Sequence, residues 1–254
     1  MRALPPIVRA YVKFVVRALG QDASAKQAKI NAWFFKETIA SRGLNVPQVR
    51  EIEKKAWTKF RDRLDGKKAV VIARALFENR HWEDGFVGMA LVRRYEKEFD
   101  GKTLDEFETW IEKYITNWAH CDDLCTHLIG PLLKRFPVLC DRLKDWPVSP
   151  NRWKKRASIV SFVPLAKHGL FEKEVLDISA RLLANGSDDL VNKANGWTLR
   201  EFGKYSSRKL FVFLKKHEKT IPRVTLRYAL ERAPERWKKV FTAKRMRKKG
   251  ETGR

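Results

Sequence analysis

The chain is poor in acid, poor in thiol, and without any long apolar run. Aspartate and glutamate number 30 against 54 lysines and arginines, a formal charge of +24 over 254 residues. Self-repulsion on that scale destabilises a compact state, so the missing acid points to a polyanionic partner: DNA, RNA or an anionic membrane surface. It counts against a protein-binding scaffold unless that scaffold's partner is strongly acidic. The three cysteines, Cys121, Cys125 and Cys140, are an odd number with no metal-ligand spacing. A reduced, cytoplasmic protein fits that best. No stretch approaches the roughly 18 to 20 apolar residues of a spanning helix. The opening segment "MRALPPIVRAYVKFVVRALG" has an apolar face, but Arg9, Lys13 and Arg17 interrupt it and no cleavage site follows. It is expected to be a mature amphipathic helix rather than a leader. No segment alternates as a strand does.

What is present is helix. Apolar residues make up 44% of the chain, enough for a core. Their 3.6-residue period recurs between short breakers such as Gly43–Pro47, Gly66, Gly101, Pro147–Pro150, Gly169 and Gly186. Three helix starts can be read from caps: Thr103 with Glu106 as a capping box, Asn151 in "SPNRW", and Ser187 before an acidic turn. Helices of about 12 to 20 residues with short loops form antiparallel pairs. Trp82, Trp118 and Trp153 each stand at an expected helix start about 35 residues apart, and Trp197 follows after about 44. That period fits an all-α solenoid of HEAT-like pairs with a basic concave groove; a compact irregular bundle is the alternative. The expected organisation is one domain over 1–237 and a basic, partly disordered tail over 238–254.

The stretch "TNWAHCDDLCTHL" stands apart. On a helix Trp118 and Asp122, four apart, share a face, while Asp123 and Trp110 point elsewhere. A carboxylate beside phosphates weakens binding by repulsion. In return it stabilises an oxocarbenium-like sugar during cleavage of an N-glycosidic bond, or orients the attacking water. The plain alternative is a salt bridge from Asp122 to Lys134 or Arg156. His120 and His127 with the cysteines match no common zinc spacing, so no metal is expected. Cys121 and Cys125 read as small packing residues. The nine tryptophans are core wedges one by one, or rings interleaved with cations for stacking on nucleic acid.

Four blocks, "NWAHCDDL", "NRWKKRASIVSF", "VNKANGWTLREFGKYS" and "PRVTLRYALERAP", in this order and at these separations, resemble the DNA alkylation-repair glycosylases of the AlkD type. The likeness runs from about Ala32 to Pro234. It implies a HEAT-like repeat fold and a monomeric, monofunctional hydrolase without metal or cofactor. It also implies removal of cationic N3- and N7-alkylated purines, such as 3-methyladenine and 7-methylguanine, from double-stranded DNA. The family's active-site tryptophan and aspartate fall on Trp118 and Asp122, and its second tryptophan on Trp197. Its groove arginine falls on Arg156; Lys154, Lys155 and Arg200, on the basic tryptophan-led helices, are expected to contact DNA on their charge alone. A family tyrosine falls on Phe34, with Phe35 a close competitor; either keeps a ring and loses a hydroxyl.

The chemistry is self-consistent. A cationic purine leaves without protonation, so one carboxylate suffices and no general acid is needed. Trp118 and Trp197 pack on the deoxyribose, and Arg156 holds a phosphate through two N–H groups. The family leaves the base in the stack, which implies tolerance of bulky adducts. Each residue also has a plainer role: Trp197 as a core wedge, Arg156 paired with a local acid. The rival class is a non-catalytic helical-repeat nucleic-acid binder, favoured by the absent tyrosine.

Overall fold

The computed structural model describes residues 4–186 and 188–241. Among them there is no strand, only an isolated bridge between Ala40 and His81. The all-α class expected from the period is the class observed. No helix among the described residues is long and apolar enough to cross a membrane. The chain forms two compact units, Met1–Phe136 and Pro137–Arg254.

The first unit contains α1 (Pro6–Gln21), α2 (Ala25–Trp33), α3 (Val46–Phe60), α4 (Gly66–Phe77), α5 (Trp82–Arg93), α6 (Thr103–Lys113), α7 (Trp118–Leu124) and α8 (Gly130–Arg135). Helix α1 is amphipathic as read: Val8, Tyr11, Val15 and Leu19 are buried at three- and four-residue steps, while Arg9, Lys13 and Arg17 are exposed. Helix α5 is central. It packs on α1, α3, α4 and α7, and nine of its twelve residues are buried, as a helix surrounded by others requires. A π-helical turn, Cys125–Ile129, joins α7 to α8, with the Gly130 N–H bonded to the Cys125 carbonyl. Pro131 gives the reason: it has no N–H for the carbonyl four residues back, and its ring crowds that carbonyl.

The second unit contains α9 (Cys140–Leu143), α10 (Arg152–Val160), α11 (Val163–Ala166), α12 (Glu172–Ala184), α13 (Asp189–Tyr205), α14 (Ser207–Lys216) and α15 (Arg223–Ala229). Here α13 is central, packing on α10, α11, α12, α14 and α15. A Cβ at Gly196 would lie 2.5 Å from the Thr225 carbonyl oxygen, so only glycine lets α15 approach this closely. Residues 235–241 are helical, and Phe241 is buried against Phe211. The rest of the expected basic tail, 242–254, lies outside the described residues.

One cap expectation turns out differently. Thr103 makes no capping box. Asp100 accepts from the N–H groups of Lys102 and Thr103, each at 3.0 Å. Glu106, the other half of the expected box, is taken by Arg74 and the Trp110 indole. A reciprocal box forms instead at α3, between Asn45 and Gln48. Ser187 lies outside the described residues, and Asp188 caps α13 through its carboxylate. Asn151 caps α10 as read.

Candidate functional site

Asn117 sets the start of α7 by accepting the His120 N–H at 2.9 Å. Trp118 is therefore the first helical residue. Two part-exposed rows run along α7 and the π-helical turn that follows it: Trp118, Asp122 and Thr126, and beside them Ala119, Asp123 and His127. Trp118 and Asp122 share a face, as their spacing requires, and both are half-buried. The Asp122 carbonyl accepts the Thr126 hydroxyl at 2.7 Å. Asp123 belongs to the other row, where its carboxylate lies 3.0 Å from His127 Nδ1. Of the two neighbouring aspartates, Asp122 is the one in line with the indole.

The aromatic partner of Trp118 comes from the segment after α2. Phe35 stacks on it, ring centroids 5.2 Å apart and planes at 24°. The Trp118 indole N–H points to the Phe34 carbonyl at 3.4 Å. Phe34's own ring turns away, 60% exposed and edge-on to Trp33 at 5.3 Å. Between the two phenylalanines that the sequence left in competition, Phe35 supplies the ring and Phe34 the carbonyl.

This segment is held by side chains that sequence reading passed over. Glu83 and Asp84, in the first turn of α5, are wholly buried. Glu83 Oε1 accepts from the Ser41 hydroxyl at 2.7 Å and from the backbone N–H groups of Gly43 and Leu44 at 2.9 and 3.3 Å. Asp84 takes a two-pronged contact from Arg42, 2.7 and 3.1 Å, and a third from the Asn79 amide at 2.7 Å. Such contacts offset the cost of burying a carboxylate, although among the described residues Glu83 Oε2 is left without a hydrogen-bond partner. The Trp82 indole donates to Ser41 at 2.8 Å. The available clue was two acids in one first turn of a very basic chain, where the helix dipole favours them.

His120 links this network to α7. Its Nε2 donates to the Trp82 carbonyl at 2.7 Å, and its Nδ1 faces the Asn117 amide at 3.3 Å. A carbonyl only accepts, so the proton sits on Nε2 and Nδ1 accepts. Burial pushes this imidazole below its ordinary pKa of 6.5, opposed by the Trp82 hydrogen bond and nearby acids. It is a neutral structural spacer between α5 and α7. Cys121, Cys125 and Cys140 are buried and joined in no disulfide among the described residues. Among the described residues, no three His, Cys, Asp or Glu side chains converge as a metal site would need.

In the second unit the exposed side of α13 is a single stripe. Lys193, Trp197, Arg200 and Lys204 are accessible, while Asn195, Thr198 and Leu199 between them are fully buried. Trp197 is thus half-open rather than a sealed wedge. The stripe's cations have acidic neighbours: Lys193 pairs with Asp189 at 2.8 Å, Arg200 with Glu231 and Lys204 with Glu201. Arg156 is 5% exposed and donates to the Leu190 carbonyl, tying α10 to the start of α13. Lys154 and Lys155, in the first turns of α10, are half-buried, and Lys154 lies 5.7 Å from the centre of the Trp146 ring.

Residues 15–233 match the family described as DNA alkylation repair enzyme. No curated protein matches the chain. Among solved structures, a predicted DNA alkylation repair enzyme from Enterococcus faecalis superposes with a TM-score of 0.71 at 13% identity, over 82% of this chain and 95% of that one. At that identity the likeness is one of fold.

Proposed function

Because the chain belongs to the DNA alkylation repair enzyme family, we propose that it hydrolyses the N-glycosidic bond of cationic N3- and N7-alkylated purines in duplex DNA. The observation that carries this reading is the alignment of Asp122 with Trp118 on one part-exposed row of α7, the indole backed by Phe35. An N-alkylated purine is already a cation. When the bond from C1′ breaks, its electron pair neutralises the departing base, and charge passes to the sugar. Asp122 stabilises that charge and holds the water that attacks C1′; the water's proton passes to the carboxylate and on to solvent. The Trp118 face adds cation–π attraction, worth about 0.5 to 2 kcal/mol. No general acid is needed, because the leaving group departs neutral.

The remaining residues act on DNA rather than on the bond. Trp197 offers a flat surface to a deoxyribose. The small exposed edge of Arg156 meets a phosphate, its guanidinium already held by the Leu190 carbonyl and so losing little freedom on binding. Lys154, Lys155 and Arg200 add positive charge, and the Glu231 partner of Arg200 gives way to phosphate. The protein acts as a monomer, without metal or cofactor.

The test is release of free 7-methylguanine and 3-methyladenine from methylated duplex DNA. Wild type releases both, and Asp122→Asn retains DNA binding while losing at least about a hundredfold in rate, the scale of removing one electrostatic stabiliser. A wild type that binds methylated duplex and releases no base would instead be a non-catalytic DNA binder. Phenylalanine at position 34, where the resemblance puts a single tyrosine, is the feature that favours that rival.

A further inference from the structure

Helix α2 is built inside out. Its only buried residue is Asn31, whose amide donates to the Ser41 hydroxyl at 3.1 Å and the Leu44 carbonyl at 3.0 Å. Its large apolar residues and the phenylalanine that ends it face outward: Ile30 is 45% exposed, Trp33 81% and the capping Phe34 60%. At i, i+3 and i+4 these three share one face. Lys26 and Lys29 are exposed one turn earlier, and no acid lies in the nine-residue helix. Such a short helix is marginal by itself in water. Here it is held by polar contacts on one side and offers uncovered rings on the other, an arrangement that suits a surface waiting for a partner.

We propose that the Ile30–Trp33–Phe34 face packs on the deoxyribose and base edges of the DNA beside the lesion, with Lys26 and Lys29 on flanking phosphates. Two observations choose this occupant. The charge complementarity is one-sided, since every ionisable side chain of α2 is a lysine. The face is also continuous with the candidate site: Trp33 touches Phe34, and the Phe34 carbonyl accepts the Trp118 indole. Aromatic rings next to cations are how sequence-tolerant nucleic-acid surfaces work, because every nucleotide presents a flat face and a phosphate. The proposal rests on the alkylpurine reading for its choice of DNA, and extends the contact from the cleaved bond to the strand alongside it.

The experiment is equilibrium binding of the full chain to a labelled duplex carrying a stable abasic-site analogue, over a range of salt. Trp33→Ala should weaken binding about tenfold with an unchanged salt slope, the expected loss of one stacking ring. Lys26→Gln/Lys29→Gln should lower the salt slope by about 2, one per lysine. These side chains are exposed, and thermal melting equal to wild type confirms that the variants fold. Unchanged duplex affinity in Trp33→Ala overturns the proposal. So does a loss confined to binding of phosphatidylserine vesicles, which would make the face a membrane contact. Base release is scored separately. If wild type releases no purine yet Trp33→Ala weakens duplex binding, the enzymatic reading fails and the DNA surface stands. If wild type releases purines and Trp33→Ala binds duplex normally, the surface fails and the enzyme stands.

Discussion

The ring of Phe35 lies against the indole of Trp118, 83 residues further along the chain, 5.2 Å between centroids and nearly parallel. Helix α7 alone would leave that indole free to rotate. Stacking on Phe35, with the N–H turned to the Phe34 carbonyl, fixes which face is left for a sugar.

Phe35→Ala should therefore act on the chemistry, and Phe34→Ala on binding. Without its backing ring the indole loses a contact worth about 0.5 to 1.5 kcal/mol and with it its orientation. Single-turnover base release should fall about tenfold in Phe35→Ala. In Phe34→Ala the single-turnover rate at saturation should hold while duplex affinity drops. The two variants measured side by side decide the assignment.

Asp84 ties Arg42 and Asn79 to the start of α5 and is fully buried. Asp84→Ala leaves the guanidinium without its carboxylate, and breaking such a pair is destabilising by about 3 kcal/mol or more. Urea denaturation should show a lower midpoint at an unchanged slope. Because Arg42 neighbours the segment carrying Phe35, base release at 37 °C should fall further than the folded fraction does.

His120 predicts a pH dependence of stability with a definite sign. Its folded pKa lies below the ordinary 6.5 because burial disfavours the cation. A depressed value means that the stabilisation is complete above pH 6.5 and is lost as pH falls from there towards the folded value. The melting temperature should drop as pH is lowered below about 6.5. His120→Gln keeps a donor for the Trp82 carbonyl and has no imidazole to protonate. Melting curves from pH 7.5 to 5 should show its decline to be the shallower.

Gly85 makes room for that imidazole. A Cβ there would stand 2.6 Å from His120 Cε1 and 3.0 Å from a Phe77 ring carbon. Both neighbours are buried and the ring has no slack, so Gly85→Ala should be destabilising by about 1 to 3 kcal/mol. Pairing it with His120→Ala should recover part of the loss, and a double-mutant cycle by urea denaturation gives the coupling.

Much of this molecule is local information. The 3.6-residue period of Val8, Tyr11, Val15 and Leu19 already specifies α1 and its buried face. Asn117 and Asn151 mark helix starts because their side chains cap the next turn. The four-residue spacing of Trp118 and Asp122 guarantees a shared face once α7 forms. Where reading failed, competition between distant groups was responsible. Thr103 and Glu106 have the spacing of a box, but Glu106 is drawn to Arg74, 32 residues away, and Asp100 takes the cap.

The sequence by itself thus determined a helical, strongly basic chain with one indole and one carboxylate in register, since helix geometry and charge depend only on near neighbours. Tertiary structure alone decided which phenylalanine meets Trp118, that Glu83 and Asp84 are interior anchors, and that α2 turns its rings outward. Those outcomes depend on which side chains satisfy one another's hydrogen bonds and fill one another's space across the fold, and no local period encodes that.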